Sequence, residues 1–442
     1  MISEEYKKLA RWALKYALDN GCSDARISVY SGTDNSFEYR DTQLDKLEQS
    51  FVSGIGIQLY VDGRFSSYST NRLEKTELKQ FISDGINATR YLAKDEFRKL
   101  PDLSRCYQGN GDDLDLYDPA IDKITIDEKL RLVKENVEEV SGLDSRLITA
   151  VASYSDETTH AYVINSKGFE GESATTYYSL SAETSVKGVG DVRPASYWYD
   201  SAICWDKLQK SGIGEKALKR TLQKLGQEKI TSGSFKMLLD NTQSQRLFSP
   251  LISAIYGSSI QQKTSFLLDK IGERVFSERL TITDDPHLHN ARGARWFDGE
   301  GVATRKMQVI ENGVLKMYYL DTYYAGKLNK EPTIQSPSIL LFERGDKDFD
   351  QLLSSLDRGI WVTDFNGGNS NPTTGDFSFG IEGFLIENGQ IIKPLNEMNI
   401  TGNLIVLWQN LLDVGNDPKT SSSWRIPSLL FDEVRFSGKS DS

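Results

Sequence analysis

Histidine is scarce in this sequence, so the few histidines are the first residues to test for metal chemistry. The chain has three among 442 residues, namely His160, His287 and His289. A His-Glu-x-x-His pattern would let two imidazoles hold a zinc ion while the glutamate takes a proton from the bound water. No histidine of this chain is followed by glutamate, so this motif is absent.

The pair in "DDPHLHNARG" is the strongest local candidate for a metal site. His287 and His289 would point the same way on a strand and could share a metal with Asp284 or Asp285. The alternative is a surface turn after the Asp-Pro step. An independent hydrolase with an unrecognised metal site therefore stays open as one hypothesis, and the function of the two histidines stays undecided.

Charge and composition argue against nucleic acid and membrane as partners. The net charge is -11 and the pI is near 5.1, whereas binding to phosphates needs clustered lysine and arginine. The densest basic stretch, "KALKRTLQKLGQEK", has helical spacing and is predicted to be a solvated helix face.

Cysteine usage and the first residues indicate a compartment. The three cysteines lie far apart and form no Cys-x-x-Cys pair, which fits a reducing cytoplasm. Glu4 and Glu5 stand where a signal peptide needs basic and then apolar residues, and no apolar run approaches the length that spans a membrane. We expect a cytoplasmic protein.

The elements that position these residues form an α+β chain. A helix over 3–20 is followed by antiparallel strands over 25–70 that turn at Asp62-Gly63, and then by a second helix. Helix, strands and helix recur between 125 and 226, which indicates a possible duplication. The last 215 residues are mainly strands, with hairpins at two Asn-Gly turns.

A polar interval over 106–122, rich in Gly and Asp, is predicted to be a linker. The boundaries we predict are an N-terminal α+β domain over 1–108, a central α+β domain over 109–226 and a β-rich C-terminal domain over 227–442. Near the start of the C-terminal domain, "FKMLLDNTQSQRLFSPLISAIYG" is predicted to be a buried strand followed by a helix, and none of its residues is well suited to activating water.

Long motifs in the C-terminal half carry a family resemblance. They are "TSFLLDKIGERVFSERLTITDDPHL", "FDGEGVATRKMQVIENGVLKMYYLDTYYAGKL", "TGDFSFGIEGFLIENGQIIKPLNEMNITGNL" and "VGNDP". The sequence resembles the TldD/PmbA family, in its PmbA (TldE) form. The resemblance implies a cytoplasmic heterodimeric or higher peptidase complex, which acts on unfolded peptides. In it a TldD-like subunit holds zinc and the PmbA-like subunit completes the chamber.

The resemblance also assigns positions to the metal motif. It places the histidine and glutamate of TldD near Asp240 and Asn241, and the second histidine near Gln245. Neutral amides cannot act as general bases, and no cysteine follows Cys204 to supply the remaining ligand. The resemblance therefore implies no catalytic residue and no cofactor in this chain, with zinc expected in a TldD-like partner.

One segment is a candidate for peptide contact, because its glycines permit close backbone approach and its phenylalanines alternate along a predicted strand. An alternative is that the segment only packs the core sheet. A homomeric peptide-binding scaffold without a catalytic partner also stays open, as does a homodimer of the isolated chain. The candidate residues are Thr374, Gly375, Asp376, Phe377, Phe379 and Gly380.

Overall fold

The computed structural model of the protein describes residues 1–439. Its first unit begins with a helix that Ser3 caps and whose buried face is made of small alanines. The turn at Asp62-Gly63 has positive φ at both residues, as a two-residue hairpin requires. The elements are α1 (Glu4–Asp19), β1 (Asp24–Arg40), β2 (Gln43–Val61), β3 (Arg64–Thr70) and α2 (Lys75–Thr89).

The second unit repeats this order of elements. Its first helix begins at a capping box, in which Thr125 and Glu128 each satisfy the other's backbone amide. The elements are α3 (Ile126–Glu138), β4 (Leu147–Asn165), β5 (Glu170–Val186), β6 (Ala195–Ala202) and α4 (Ile213–Gln223).

The strands of both units form one six-stranded sheet in the order β3-β2-β1-β4-β5-β6. β1 and β4 meet at its centre as an antiparallel pair that runs from Arg26 opposite Asn165 to Arg40 opposite Val151. Each half of the sheet carries its own two helices and its own apolar core. This symmetric topology is what a duplication requires, and the predicted α+β fold class is confirmed. The predicted boundary near 108 falls between two halves of a continuous sheet and stays a prediction.

The C-terminal part is mainly β, as predicted. Its Asn312-Gly313 and Asn388-Gly389 turns have positive φ at all four residues. Its elements are β7 (Gly233–Leu239), α5 (Ser244–Ala254), α6 (Gly257–Gln261), β8 (Ile282–Asp284), β9 (Met307–Glu311), β10 (Val314–Leu315), α7 (Thr322–Leu328), β11 (Leu340–Phe342), α8 (Phe349–Ser354), β12 (Arg358–Ser370), β13 (Asp376–Glu387), β14 (Gln390–Asn403), α9 (Leu404–Gln409), β15 (Leu411–Val414), β16 (Trp424–Arg425) and β17 (Leu429–Ser437).

Five of these strands close into a barrel. The order β14-β13-β12-β7-β17 is completed by a pairing of β14 with β17, and β15 extends the sheet beyond β17. β7 lies parallel to β12 and antiparallel to β17. Trp408, Phe248 and Phe431 pack edge to face in the core beside the barrel. A second sheet of five short strands, in the order β10-β9-β8-β11-β16, shares this core.

The interval over 106–122 packs against the C-terminal part and is not a free linker between units. Leu114 is buried against Ala291, Ala294 and Ile339, and its carbonyl accepts a hydrogen bond from the backbone of Asn290 at 2.8 Å. The interval therefore fastens the N-terminal sheet to the C-terminal part. Within residues 1–439, no helix has the length and apolar character needed to cross a membrane.

Candidate functional site

The candidate site lies where β7 leaves the barrel and the chain turns into α5. The last three residues of β7 are fully buried and are held between β12 and β17, so the position that follows them is fixed by the barrel. That position is Asp240, whose backbone N–H donates to the carbonyl of Val362 at 3.1 Å. Asp240 is only 8% exposed, so its charge needs partners inside the protein.

Both carboxylate oxygens of Asp240 face protein groups. Oδ1 accepts hydrogen bonds from the backbone N–H of Thr242 at 2.9 Å and from its hydroxyl at 2.6 Å. Oδ2 lies 3.9 Å from Nη1 of Arg220, which comes from α4. Asp240 thus organises the turn into α5 and faces a guanidinium.

The other two positions of the degenerate motif point elsewhere. Asn241 donates from Nδ2 to the backbone carbonyl of Asp417 at 2.6 Å, and the Asp417 carboxylate is held by Ser428 through its backbone N–H at 2.9 Å and its hydroxyl at 2.7 Å. Gln245 is exposed on α5. The structure brings Asp240 and Asn241 to one turn, but it does not gather the three side chains around a common point.

Three cations surround one indole ring beside this turn. Nζ of Lys216 lies 3.5 Å from the ring centroid of Trp198, and Cζ of Arg220 and Nζ of Lys419 each lie 5.3 Å from it. Lys419 also sits 3.1 Å from the ring centroid of Tyr199. We call Lys216, Arg220 and Lys419 the cationic cluster.

The cationic cluster carries more positive charge than its surroundings neutralise. In the described part of the chain, no carboxylate oxygen lies within 4.0 Å of the ammonium of Lys216 or Lys419. Burial lowers the pKa of Lys419 to about 8, and Lys216 and Arg220 lower it while Asp200 and Asp240 oppose them. Burial, and next Arg220, lower the pKa of Lys216 as well. Removing protons would relieve this repulsion, and so would binding an anion.

The residues present here do not fit a zinc ion. Zinc takes several convergent nitrogen, sulfur or carboxylate ligands, whereas this turn offers the single carboxylate of Asp240, which already faces Arg220. The cationic cluster would also repel a dication. Across residues 1–439, no three His, Cys, Asp or Glu side chains come together in a way that could hold a metal.

Sequence reasoning missed the cationic cluster, although its basic stretch was visible. Lys216 and Arg220 are four residues apart on α4 and therefore share a face. The face was expected to be solvated, and Lys216 is indeed exposed. Further along the helix, Arg220 and Lys224 turn toward the barrel, where Lys224 binds Glu382 at 2.6 Å. Lys419 lies far away in the sequence, and no local pattern could have joined it to the other two.

The segment predicted to contact peptide contributes its rings to the core. Phe377 and Phe379 are 6% and 2% exposed and stack on each other with centroids 5.6 Å apart. The exposed Thr374 donates its hydroxyl to Asp376 at 2.7 Å. A side chain at Gly380 would collide with Asn366, and Gly375 has φ of +81°. These contacts favour the packing alternative for the rings, and peptide contact by the segment stays a prediction.

The two histidines of "DDPHLHNARG" lie in turns and have different partners. His287 is 3.1 Å from the hydroxyl of Thr304 through Nε2 and packs on Trp296, whereas His289 is 3.1 Å from Asp115 through Nδ1. The carboxylate of Asp284 is buried and accepts hydrogen bonds from Ser338, Ile339 and Tyr319. Asp285 pairs with Lys306 at 3.1 Å. The structure therefore does not join the two histidines, Asp284 and Asp285 into one site.

The succession of folded units defines the class of protein. Three family models match the chain in order, and all three describe a metallopeptidase of the PmbA/TldA type. Domain 1 matches residues 25–89, the central domain matches 119–225 and the C-terminal domain matches 232–438. The class is thus a metallopeptidase-like protein with a paired N-terminal sheet and a β-rich C-terminal part.

Individual relatives agree with the family models along the whole chain. The Escherichia coli O157:H7 protein named metalloprotease PmbA is 29% identical over 99% of this chain and 98% of its own length. A crystal structure from Bacteroides thetaiotaomicron, named provisionally as a modulator of DNA gyrase, is 53% identical with a TM-score of 0.97, covering 99% of this chain and all of its own. TldE from Thermococcus kodakarensis shares the fold, with a TM-score of 0.82 at 21% identity, covering 98% of this chain and all of its own. The chain belongs to the PmbA/TldA metallopeptidase family, and the resemblance seen in the sequence is confirmed.

Proposed function

We propose that this chain is the non-catalytic, PmbA-like subunit of a cytoplasmic TldD/PmbA peptidase complex and that it shapes the chamber in which unfolded peptides are processed. In this proposal a TldD-like partner holds the zinc and performs the hydrolysis. Family membership supports the peptidase context, because the relatives that match over the whole length are named metalloproteases.

One observation carries the assignment of a non-catalytic role. At the junction of β7 and α5, Asp240 is bound to Thr242 and faces Arg220, while Asn241 is bound to Asp417. These side chains already have protein partners, and the partners of Asp240 include a cation, Arg220. A junction built in this way stabilises a fold and an anion-attracting surface, and it offers a metal no set of ligands.

Peptide capture is the role that the N-terminal sheet supports. β2 pairs with β3 only from Ile55 onward, so the stretch over 43–54 has one unpaired edge in the described structure. Phe51 and Val52 in this stretch are exposed. An extended peptide can add to such an edge through backbone hydrogen bonds, which capture it with little regard for its sequence.

The proposal is tested by determining which subunit holds zinc and which subunit has peptidase activity. The chain alone, a TldD-like partner alone and their mixture are assayed for zinc content by mass spectrometry and for cleavage of an unfolded peptide. We expect zinc only where the partner is present, and the highest rate in the mixture. Stoichiometric zinc together with cleavage by the chain alone would refute the proposal.

Two rivals predict other results in the same experiment. A homomeric peptide-binding scaffold would bind peptide but would neither associate with the partner nor raise its rate. An independent hydrolase would cleave alone and lose activity when His287 and His289 are both changed to Ala. The DNA gyrase context in one relative's name does not suggest DNA contact here, because the chain carries a net charge of -11.

A further inference from the structure

We infer that the cationic cluster, with Trp198 and Tyr199, is a binding site for the C-terminal carboxylate of an extended peptide. The inference deepens the proposed function, since it names the end of the substrate that this subunit holds.

Arg220 has hydrogen-bonding capacity that the protein leaves unused. Its Nε is buried without a partner among the described residues, and Nη2 reaches the carbonyl of Thr363 only at 3.5 Å. Its ion pair with Asp240 is long, at 3.9 Å. The side chain keeps 19% of its surface exposed, so a ligand can reach it. A planar guanidinium with free donors matches the two oxygens of a carboxylate.

Two of the three cations have no close acidic partner among the described residues, which favours the binding of an anion. Of the three cations, only Arg220 lies within 4.0 Å of Asp240. Asp200 accepts a hydrogen bond from the backbone of Gln209 at 2.9 Å, and Asp364, which also faces Arg220, lies 3.8 Å from Lys224. Lys216 is exposed and stacks on Trp198 without an acidic partner in the described chain. A ligand carboxylate beside Arg220 would bring a negative charge close to Lys216 and Lys419, whose ammonium groups have no carboxylate within 4.0 Å in the described chain.

The rings indicate that this carboxylate belongs to a peptide. Trp198 and Tyr199 lie on β6, which is the last strand of its sheet. Lys419 donates to the carbonyl of Tyr199 at 3.2 Å, so this carbonyl faces away from β5 and toward the outer edge. Tyr197, two residues earlier, exposes 39% of its surface and stacks on Tyr199. A peptide lying along this aromatic edge would end with its carboxylate at the cationic cluster.

Binding of an uncharged hexapeptide to the full chain, measured by titration calorimetry, tests the inference. The hexapeptide is used as a free acid and as a C-terminal amide, and acetate is titrated separately. We expect the free acid to bind about tenfold more tightly than the amide, because a charge-assisted hydrogen bond is lost with the carboxylate. Acetate should bind far more weakly than the free acid, because it lacks the part that packs on β6.

Variants locate the effect on the protein. Arg220→Gln and Lys419→Met should each remove most of the preference for the free acid. Lys219→Gln is the matched control, because Lys219 lies on the same helix and is exposed, so the same loss of charge should leave the preference intact. Circular dichroism confirms folding, and Lys216→Gln replaces Arg220→Gln if the latter unfolds.

Three results would overturn the inference: equal affinity for acid and amide, an unchanged preference in Arg220→Gln and Lys419→Met, or acetate binding as tightly as the peptide. The last would indicate a general anion site. These results differ from a failure of the proposed function. Zinc and cleavage in the chain alone would refute that proposal whatever the carboxylate preference.

Discussion

The two ends of α4 use the same kind of residue in opposite ways. At the C-terminal end, Lys224 is 8% exposed, binds Glu382 at 2.6 Å and lies 3.8 Å from Asp364. At the N-terminal end, Lys216 has no acidic partner in the described chain and stacks on Trp198. The paired cation fastens α4 to the barrel, while the unpaired one contributes to a surface that attracts anions. Arg220, between them, is partly paired and belongs to both arrangements.

Cations that stabilise the fold and cations that bind a ligand differ in whether the protein itself neutralises them. A buried cation that the protein neutralises contributes to the fold, and removing it leaves a buried anion uncompensated. A cation held among other cations costs stability, because repulsion and desolvation both disfavour its charged form. Such a destabilising arrangement is expected to be retained where a ligand supplies the missing negative charge.

Removing the paired cation, Lys224, should have the largest effect on stability. Lys224→Met leaves Glu382 beside Asp364 without its close cation, and we expect the free energy of unfolding to fall by about 3 kcal/mol. Urea unfolding followed by circular dichroism measures the change. Lys219→Met, at an exposed position of the same helix, should change stability by less than about 0.5 kcal/mol.

A double variant sharpens this first prediction. Adding Glu382→Leu to Lys224→Met removes the stranded anion and should recover part of the lost stability. If Lys224→Met unfolds at the wild-type urea concentration, the pair does not fasten α4 to the barrel, and the proposed distinction between the two ends fails.

A partly buried acid that forms no salt bridge among residues 1–439 extends the comparison to the opposite charge. Glu300 accepts hydrogen bonds from the backbone and hydroxyl of Thr322, at 2.9 and 3.0 Å, beside a cavity of about 100 Å³ between the N-terminal sheet and the C-terminal part. Burial raises its pKa to about 7; the Thr322 hydrogen bonds lower it, while Asp298 and Asp321 raise it. The neutral form is therefore favoured in the folded protein.

The sign of the pH effect follows from this raised pKa. The folded protein holds the proton of Glu300 more tightly than the unfolded chain, so its contribution to stability is complete below pH 4.5 and is lost as the pH rises through 7. Glu300→Gln should therefore raise the free energy of unfolding by about 2 kcal/mol at pH 8 and change it little at pH 4.5. Equal effects at both pH values would show that the pKa of Glu300 is not raised in the folded protein.

The sequence predicted the parts of the fold that depend on neighbouring residues. Asp62-Gly63 and Asn388-Gly389 form the expected turns, because a two-residue hairpin needs positive φ at both positions and these residue types tolerate it. The first helix also lies where its periodicity placed it, over Glu4–Asp19. These elements are decided by backbone preference and by spacing within a few residues.

The site depends on contacts that no local pattern contains. Periodicity showed that Lys216 and Arg220 share a helix face, but the face was expected to meet solvent, because nothing in the sequence shows that the barrel covers part of it. Alternation likewise placed Phe377 and Phe379 on one side of a strand without showing that this side is the core. Closure of the barrel by β14 and β17 and the approach of Lys419 to β6 are equally non-local.

The smallest expected effect belongs to the unpaired end, and its sign opposes the first prediction. Lys419 has its pKa lowered to about 8 from an ordinary 10.5, so its charged form is disfavoured in the folded protein, and this penalty is complete below pH 8. Lys419→Met should therefore raise the free energy of unfolding at pH 7, by about 1 kcal/mol once solvent screening is allowed for. The gain should shrink as the pH rises from 8 to 10.5, because the wild-type lysine then loses its proton in both states. Urea unfolding at pH 7 and pH 10 measures both values. The hydrogen bond from Lys419 to Tyr199 is lost in the variant at either pH, and this loss lowers the free energy of unfolding by an amount that does not depend on pH.

A variant that is more stable yet loses its preference for the peptide carboxylate would show that the cationic cluster is kept for binding. A loss of stability at pH 7 would instead place Lys419 with Lys224, as a cation that holds the fold together.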